Sequence, residues 1–204
     1  MNLRYFLVLL FLVSIHCRST EDIRLEQSAN TIYRISYSTF KSWLDTLPLA
    51  REFDFALCKP HGVGCYDAQP FTVSDHLGED WNRAANNKDL GEPVYSIGEG
   101  VVVFADDVGG GWGKVLRVIH RTGESGKQVY VEALYAHFTA MYPRPGDIVQ
   151  RGQKIGTLGT AGGIYEAHLH LELRSIIGLP IGGGYSAEKK GFLDPKKFIR
   201  AHRP

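Results

Sequence analysis

Short apolar runs separated by glycine-bearing turns fill the chain from about residue 53 onward. The runs are rich in β-branched or aromatic residues and are bounded by Gly, Asp or Pro, which is typical of β-strands. Helical periodicity is scarcely visible in this part of the chain. The pattern therefore predicts a mainly β fold, an antiparallel β-sandwich or barrel-sandwich hybrid. The strand candidates are residues 100–104, 114–120, 128–135, 154–158 and 167–174.

The length of 204 residues accommodates one domain with a sizeable core and a short appendage. Residues 18–52 are mostly polar with scattered aromatics, and we expect an N-terminal extension or linker there. A short helix is predicted at 38–47, where Pro48 ends it. The functional domain is predicted to occupy residues 53–204.

The first 17 residues have the composition of an export leader. One positive charge precedes an apolar run at 5–15, which is too short to cross a hydrocarbon core of about 30 Å but fits a signal peptide. Cys17 follows directly, where a bacterial lipoprotein would carry its lipid, although His16 stands where such a signal has a small residue. We expect an exported protein of the periplasm or cell envelope, and cleavage, lipidation and an uncleaved membrane anchor at the N-terminus all stay open.

Charge and cysteine spacing argue against two kinds of partner. The 23 Lys and Arg residues nearly balance 22 Asp and Glu residues without forming a basic stripe, so no nucleic-acid partner is expected. Cys58 and Cys65 are too far apart in sequence for a thiolate zinc site. They are predicted to form a disulfide in an oxidising compartment, or to be two inert buried thiols.

Two glycine clusters have ordinary structural explanations. Residues 109–113 lack the Gly-Lys-Ser/Thr ending of a phosphate loop and lie between two strand candidates, so a hairpin tip is predicted. Residues 182–184 are predicted to form a flexible surface loop. Either cluster can also line a substrate groove, with Trp112 at its rim.

Two histidines one residue apart, His168 and His170, fall on one face of a strand because side chains alternate along extended chain. Upstream, His76, Asp80 and His137 add three more groups suited to a metal site. Together the five residues have the composition of an open zinc centre. Two imidazoles and a carboxylate would bind the ion, and two histidines would remain for chemistry.

His76 and Asp80 can reach one ion only if the chain between them bends. Four residues of straight strand span roughly 13 Å, whereas zinc bonds to nitrogen or oxygen are about 2 Å long. Gly78 is the residue best able to permit the bend. Glu172 either orients a ligand imidazole or is a solvated strand carboxylate. Three further histidines are predicted to be ordinary hydrogen-bonded strand residues: His61, His120 and His202.

These motifs, in this order, resemble the lysostaphin-type (β-lytic) zinc metallopeptidases, which cleave peptide bonds in bacterial peptidoglycan. The resemblance covers about residues 71–174 and is specific because several separate motifs agree. They are the His-x-Gly-x-Asp element at 76–80, the segments 91–96 and 98–102, Gly-Trp-Gly at 111–113 leading to 118–120, Leu-Tyr-Ala-His-Phe at 134–138, the run 145–156 and His-Leu-His at 168–170.

The resemblance implies a fold similar to the duplicated hybrid motif and one Zn²⁺ per chain. By motif, the zinc ligands would be His76, Asp80 and His170, and the non-ligand catalytic pair would be His137 and His168. The implied activity is hydrolysis of peptidoglycan stem or cross-bridge peptides by a zinc-activated water, in a monomeric enzyme. No His-Glu-x-x-His sequence is present, so a thermolysin-type glutamate base is not expected.

The sequence also departs from the family pattern. Residues 164–167 replace the usual small or proline residues before the His-x-His motif, and Tyr66 is the nearest upstream candidate for a tyrosine that some members direct into the site. Two other functions compete with the enzyme. One is an inactive family member that binds the wall or regulates wall hydrolases, and the other is a lipoyl or phosphohistidine carrier domain. A phosphohistidine carrier has no use for Asp80 as a ligand.

Overall fold

The computed structural model describes residues 19–58, 61–124 and 126–204. The predicted leader at 1–17, including Cys17, lies outside the described residues. None of the helices in the described ranges combines the length and apolar character that a membrane span requires.

One antiparallel sheet of ten strands dominates the described part of the chain. The strands are β1 (Tyr66–Gln69), β2 (Glu79–Asn82), β3 (Pro93–Tyr95), β4 (Gly100–Gly109), β5 (Gly113–Glu124), β6 (Lys127–Met141), β7 (Ile148–Val149), β8 (Lys154–Leu158), β9 (Leu169–Arg174) and β10 (Phe192–Leu193). The main path of the sheet runs β1-β2-β9-β6-β5-β4-β7, while β10 pairs with β9, β3 with β8, and β8 also with β6. The mainly β, antiparallel architecture and all five strand candidates are therefore confirmed.

Within residues 19–204, as far as the structure describes them, three α-helices flank the sheet: α1 (Thr20–Gln27), α2 (Tyr37–Thr46) and α3 (Pro195–Ala201). A π-helical turn at Ser28–Ile32 continues α1. The predicted helix at 38–47 corresponds to α2, whose first turn is capped because Ser36 Oγ accepts a hydrogen bond from the Thr39 amide at 3.2 Å. α1 and the π-helical turn were not predicted.

Two apolar clusters lie on opposite faces of the sheet, because successive side chains of β4, β5 and β6 point to alternate sides. Along β6, Ala133 and Tyr135 belong to one cluster, while Leu134 and Ala136 belong to the other. The second cluster also contains buried side chains of the π-helical turn, of the segment directly after it and of α2, and Leu25 of α1 packs against it half-buried. These N-terminal helices therefore cover one face of the sheet. Their buried apolar residues are Ala29, Tyr33, Phe40 and Leu44.

Local structure agrees with two further sequence predictions. Cys58 and Cys65 form a disulfide, which closes the loop between them. Gly109 pairs with Gly113 where β4 turns into β5, so the first glycine cluster is a hairpin tip as predicted.

His61, His120 and His202 all have hydrogen-bond partners, as predicted, although of these only His120 lies in a strand. His120 in β5 is completely buried, and its Nδ1 lies 2.9 Å from the carbonyl oxygen of Glu99. Burial lowers the pKa of His120 from 6.5 to about 4. Between these values the unfolded chain binds a proton that the folded chain does not. Neutral His120 therefore leaves the free energy of unfolding undiminished above pH 6.5, and this free energy falls as the pH drops from 6.5 toward 4.

We expect His120→Gln to remove this pH dependence while keeping a donor for the Glu99 carbonyl. Between pH 7.5 and 4.5 the wild type should lose about 2–3 kcal/mol of unfolding free energy relative to the variant. Urea unfolding of both proteins at several pH values measures this difference, and the carboxylates common to both proteins cancel. A difference that stays constant with pH would contradict the assignment.

Candidate metal centre

A sharp turn before β2 presents the first candidate ligand. Thr72, Ser74 and Asp75 have positive φ angles of 72°, 52° and 64°, so the chain reverses immediately before His76. The His76 amide closes this turn by donating to the carbonyl oxygen of Val73 at 3.1 Å. The chain then enters the sheet, with the His76 side chain almost fully buried.

The chain bends at Gly78, as the spacing of the two ligands requires. Gly78 also permits a close approach to β9. A Cβ atom at this position would lie 2.6 Å from the carbonyl oxygen of Leu171 and 3.0 Å from the His170 ring. Any larger residue would push the two ligand-bearing segments apart.

Sheet pairing brings the remaining ligands together. Asp80 in β2 lies directly opposite His170 in β9, and His170 also lies opposite Ala136 in β6. The Asp80 carboxylate is 2.9 Å from His170 Nδ1, while His76 Nε2 is 3.0 Å from His170 Nδ1 and 3.4 Å from Asp80 Oδ1. Three potential ligand atoms from distant parts of the chain thus converge on one point.

The arrangement fits a tetrahedral metal ion. Ligands about 2.1 Å from zinc at tetrahedral angles are separated by about 3.4 Å, close to the spacing of these three atoms. The outer ring nitrogens also have acceptors, since His76 Nδ1 lies 3.1 Å from the Gln69 carbonyl oxygen and His170 Nε2 lies 3.3 Å from Glu172. With a metal ion bound, each ring would therefore carry its proton on the outer nitrogen and present the inner nitrogen to the ion, as histidine ligands usually do. Glu172 is fully buried, so the solvated alternative for this residue is wrong.

Electrostatics within the cluster favour a bound cation. Burial lowers the pKa of His76. Burial alone would also lower the pKa of His170, but its hydrogen bonds to Asp80 and Glu172 raise it to about 9. Burial opposes ionisation of Asp80, yet the hydrogen bond to His170 and the neighbouring imidazoles lower the pKa of this carboxyl. A metal ion that binds here replaces the proton on His170.

A β-bulge turns His137 toward the same centre. Between Lys114 and Leu116 the register of β5 against β6 shifts, and His137 in the bulge has a φ angle of 66°. Such a bulge redirects a side chain that would otherwise follow the sheet. His137 Nδ1 lies 3.2 Å from the carbonyl oxygen of Trp112. Burial, with smaller contributions from the nearby His168 and His170 rings, lowers the pKa of His137 to about 3.

His168 completes the group of five. Its ring centroid is 4.6 Å from that of His137, and its Nε2 is 3.7 Å from Asp80 Oδ1. The other ring nitrogen, Nδ1, lies 2.8 Å from the carbonyl oxygen of Glu166. The two rings therefore lie side by side next to the three candidate ligands, and neither supplies one of the three converging atoms.

Four of the five residues, Asp80, His137, His168 and His170, line a cleft of about 400 Å³, while His76 is buried and does not line it. Trp112 and the two glycine clusters line it, in agreement with the second role suggested for them. The cleft residues are Gln69, Asp80, Gly111, Trp112, His137, Tyr165, His168, His170, Gly183, Gly184 and Tyr185.

Two tyrosines at the cleft were not predicted. The Tyr165 ring is 5.3 Å from that of His137, and it lies in the segment that departs from the family pattern. The Tyr185 ring is 5.1 Å from that of His76, and its hydroxyl lies 3.1 Å from Gln69 Oε1. Tyr66, the upstream candidate, is on β1 and does not line the cleft. The sequence around Tyr185 contains no motif that would predict its role. Tyr185 reaches the site because its backbone pairs with that of His76, which is distant in sequence.

Comparison with known proteins agrees with this geometry. The model of peptidase family M23 matches residues 75–183, more than half of the chain. The chain belongs to peptidase family M23. The match includes all five histidine and aspartate residues of the site, and the predicted resemblance to lysostaphin-type peptidases is confirmed.

Individual relatives of this M23 protein cover parts of it. It is 33% identical over 84 residues to the lipoprotein NlpD of Yersinia enterocolitica, covering 41% of this chain and 78% of that protein. It is 29% identical over 90 residues to the peptidoglycan DD-endopeptidase ShyB of Vibrio cholerae, covering 41% of this chain but only 18% of that much longer protein. A Pseudomonas aeruginosa structure assigned to peptidase M23 has a TM-score of 0.50 at 21% identity, covering 89% of this chain and 64% of that one, and shares the fold.

Proposed function

We propose that this M23 protein is an exported zinc metallo-endopeptidase that hydrolyses peptide bonds in peptidoglycan cross-links. The observation that carries the proposal is the convergence of ligand atoms from His76, Asp80 and His170 at a cleft that also holds His137 and His168. This combination of three ligands and two unligated imidazoles suits metal-assisted hydrolysis.

His76 Nε2, His170 Nδ1 and an Asp80 carboxylate oxygen would hold one Zn²⁺ ion. Bound zinc supplies Lewis acidity, which lowers the pKa of a water molecule to about 7 and polarises a carbonyl group. Gln69 and Glu172 accept hydrogen bonds from the outer nitrogens of the two imidazoles and so fix their orientation. These contacts hold the ligand atoms in place before any ion binds.

His137 and His168 are proposed to move protons and stabilise charge. Each ring has its Nδ1 against a backbone carbonyl oxygen, so each offers its Nε2 to the cleft. One Nε2 can accept a proton from the attacking water. The other, once protonated, can donate to the oxyanion or to the leaving amine.

Relatives and the sequence support the proposed substrate and location. ShyB is named for its action on peptidoglycan, and NlpD is named as a lipoprotein. Together with the leader predicted at residues 1–17, this supports a periplasmic or cell-envelope enzyme, either free or attached to the membrane through its N-terminus. We propose that it acts as a monomer on stem or cross-bridge peptides.

Digestion of purified peptidoglycan tests the proposal. We expect cross-linked muropeptides to be converted to uncrosslinked ones, as measured by chromatography and mass spectrometry. Chelator should stop the reaction, and one equivalent of Zn²⁺ should restore it. A chain purified from zinc-replete medium that contains no zinc and releases no product would favour the inactive, wall-binding alternative.

A further inference from the structure

One wall of the cleft is a loop that is held by hydrogen bonds both from cleft residues and from residues on the side away from the cleft. This wall segment, residues 177–185, follows β9 and carries Gly183, Gly184 and Tyr185 into the cleft. On the cleft side, the Leu77 amide donates to the carbonyl oxygen of Gly184 at 2.9 Å. The Trp112 indole N–H donates to the carbonyl oxygen of Gly182, also at 2.9 Å. The loop predicted to be flexible therefore has defined contacts.

From the sheet, two buried arginines donate to the carbonyl groups of the wall segment. Arg174 reaches the carbonyl oxygens of residues 179, 180 and 181 at 3.1–3.2 Å, and Arg117 reaches that of residue 179 at 2.8 Å. Arg174 is paired with Glu172, and Arg117 with Glu132. Buried charges need such partners, and losing one partner is costly.

The N-terminal helices contact the first residues of the same wall segment, which do not line the cleft. Arg24 donates to the carbonyl oxygen of Ile177 at 3.0 Å, and Ser28 Oγ donates to that of Gly178 at 3.1 Å. The Tyr33 hydroxyl donates to Glu132 Oε2 at 2.8 Å. The Gly178 amide donates to this same oxygen at 2.8 Å.

Gly178 is the point where these contacts meet. Its φ angle is +73°, and a Cβ atom there would lie only 2.1 Å from Ser28 Oγ. Glu132 is fully buried, so its carboxylate depends on the donors around it. Among the described residues, none before Gln69 lines the cleft, so the helices are not part of its lining.

We propose that the N-terminal helices, through Tyr33 and Ser28, are a positioning element that fixes the wall segment at the cleft. Tyr33 acts through Glu132 and Gly178, and it touches neither the candidate ligands nor the substrate cleft. The expected effect on catalysis rests on the proposed function, whereas the expected effect on the wall segment does not. The helices thus serve the active site as part of its scaffold and do not plug it.

The test is Tyr33→Phe, which removes the hydroxyl but keeps the ring that packs 5.2 Å from Phe40. Loss of a hydrogen bond to a buried carboxylate should speed amide exchange in residues 177–185 by about tenfold, with other segments unchanged. Zinc content should stay the same. For peptidoglycan cleavage, KM should rise several-fold with kcat nearly unchanged, because the substrate-binding wall is loosened while the metal and histidines are not.

Two controls separate positioning from general stability. Tyr37→Phe removes a hydroxyl four residues further along, at the first residue of α2, without touching Glu132, and it should change neither exchange nor KM. Leu44→Ala opens a cavity in the same apolar cluster, so it should lower global stability without a selective effect on residues 177–185. Gly178→Ala, which collides with Ser28, should reproduce the Tyr33→Phe effect in a larger form.

Two results would overturn the proposal. One is unchanged exchange of residues 177–185 in both Tyr33→Phe and Gly178→Ala, and the other is an exchange pattern in Tyr33→Phe that matches the uniform effect of Leu44→Ala. If the wild type cleaves no peptidoglycan, the proposed function fails. The exchange experiment on the full chain as purified, with or without zinc, still decides whether the helices position the wall.

Discussion

His170→Ala should lose zinc and peptidase activity together. Of the three candidate ligand atoms, His170 Nδ1 lies closest to the other two, at 2.9 Å from Asp80 Oδ1 and 3.0 Å from His76 Nε2. Altering an outer-shell partner alone lowers metal affinity about 10–100-fold, so removal of a direct ligand should exceed about 100-fold. Peptidoglycan cleavage should fall at least as far at limiting zinc. Metal content after dialysis at defined free zinc, together with muropeptide release, measures both effects.

A second variant distinguishes metal loss from misfolding. His170→Ala leaves the half-buried Asp80 and the buried Glu172 without their shared imidazole, so the variant should also be less stable. Asp80→Asn keeps the shape of the side chain and removes the charge, and it should lose zinc with a smaller loss of stability. His61→Ala removes a histidine outside the cleft and serves as the matched control, which should keep one zinc per chain. A folded His170→Ala protein with full zinc and activity would refute the ligand set.

The longer strands could be predicted because their sequences alone favour strand structure. β4, β5 and β6 are rich in Val, Ile and Tyr and are long enough for the pattern to be visible. β1, β2 and β10 have two to four residues, and β2 reads Glu-Asp-Trp-Asn, which carries no strand pattern. Such a strand forms because its neighbours supply the hydrogen bonds, in this case β1 and β9. The local sequence of β2 does not contain the information about this pairing.

The N-terminal helices could not be predicted from local sequence either. Residues 20–32 are polar enough to suggest a linker, yet Ala29 and Tyr33 are buried against the sheet. Their burial depends on the buried Arg117–Glu132 pair and on the wall segment, which lie about 100 and 150 residues away in sequence. A helix whose stability comes from such contacts has little signal of its own.

The site itself was more accessible to sequence analysis than the cleft around it. His76, Asp80, His137, His168 and His170 each belong to a short motif, and the structure brings all five to one place. The cleft walls depend on loop positions, so Tyr165 and Tyr185 could not be assigned. The β-bulge at His137 was also invisible, because a bulge is defined by pairing with another strand.

His137→Ala should keep zinc and lose turnover, in contrast to His170→Ala. His137 supplies none of the three converging atoms, and its ring centroid is 5.7 Å from that of His170, so zinc affinity should change less than about threefold. Proton transfer by a positioned side chain contributes about 10²–10⁴-fold to rate, and kcat should fall by that factor. Metal analysis and kinetics on defined muropeptide dimers measure the two quantities separately.

Added imidazole sharpens the test, since the truncated side chain leaves space beside His168 in an open cleft. Partial recovery of kcat by imidazole in His137→Ala, but not in His170→Ala, would identify a missing proton carrier as the defect. Full activity of His137→Ala without imidazole would mean that His168 alone carries both transfers. In that case His137 is a structural residue of the bulge, and the proposed catalytic pair is wrong.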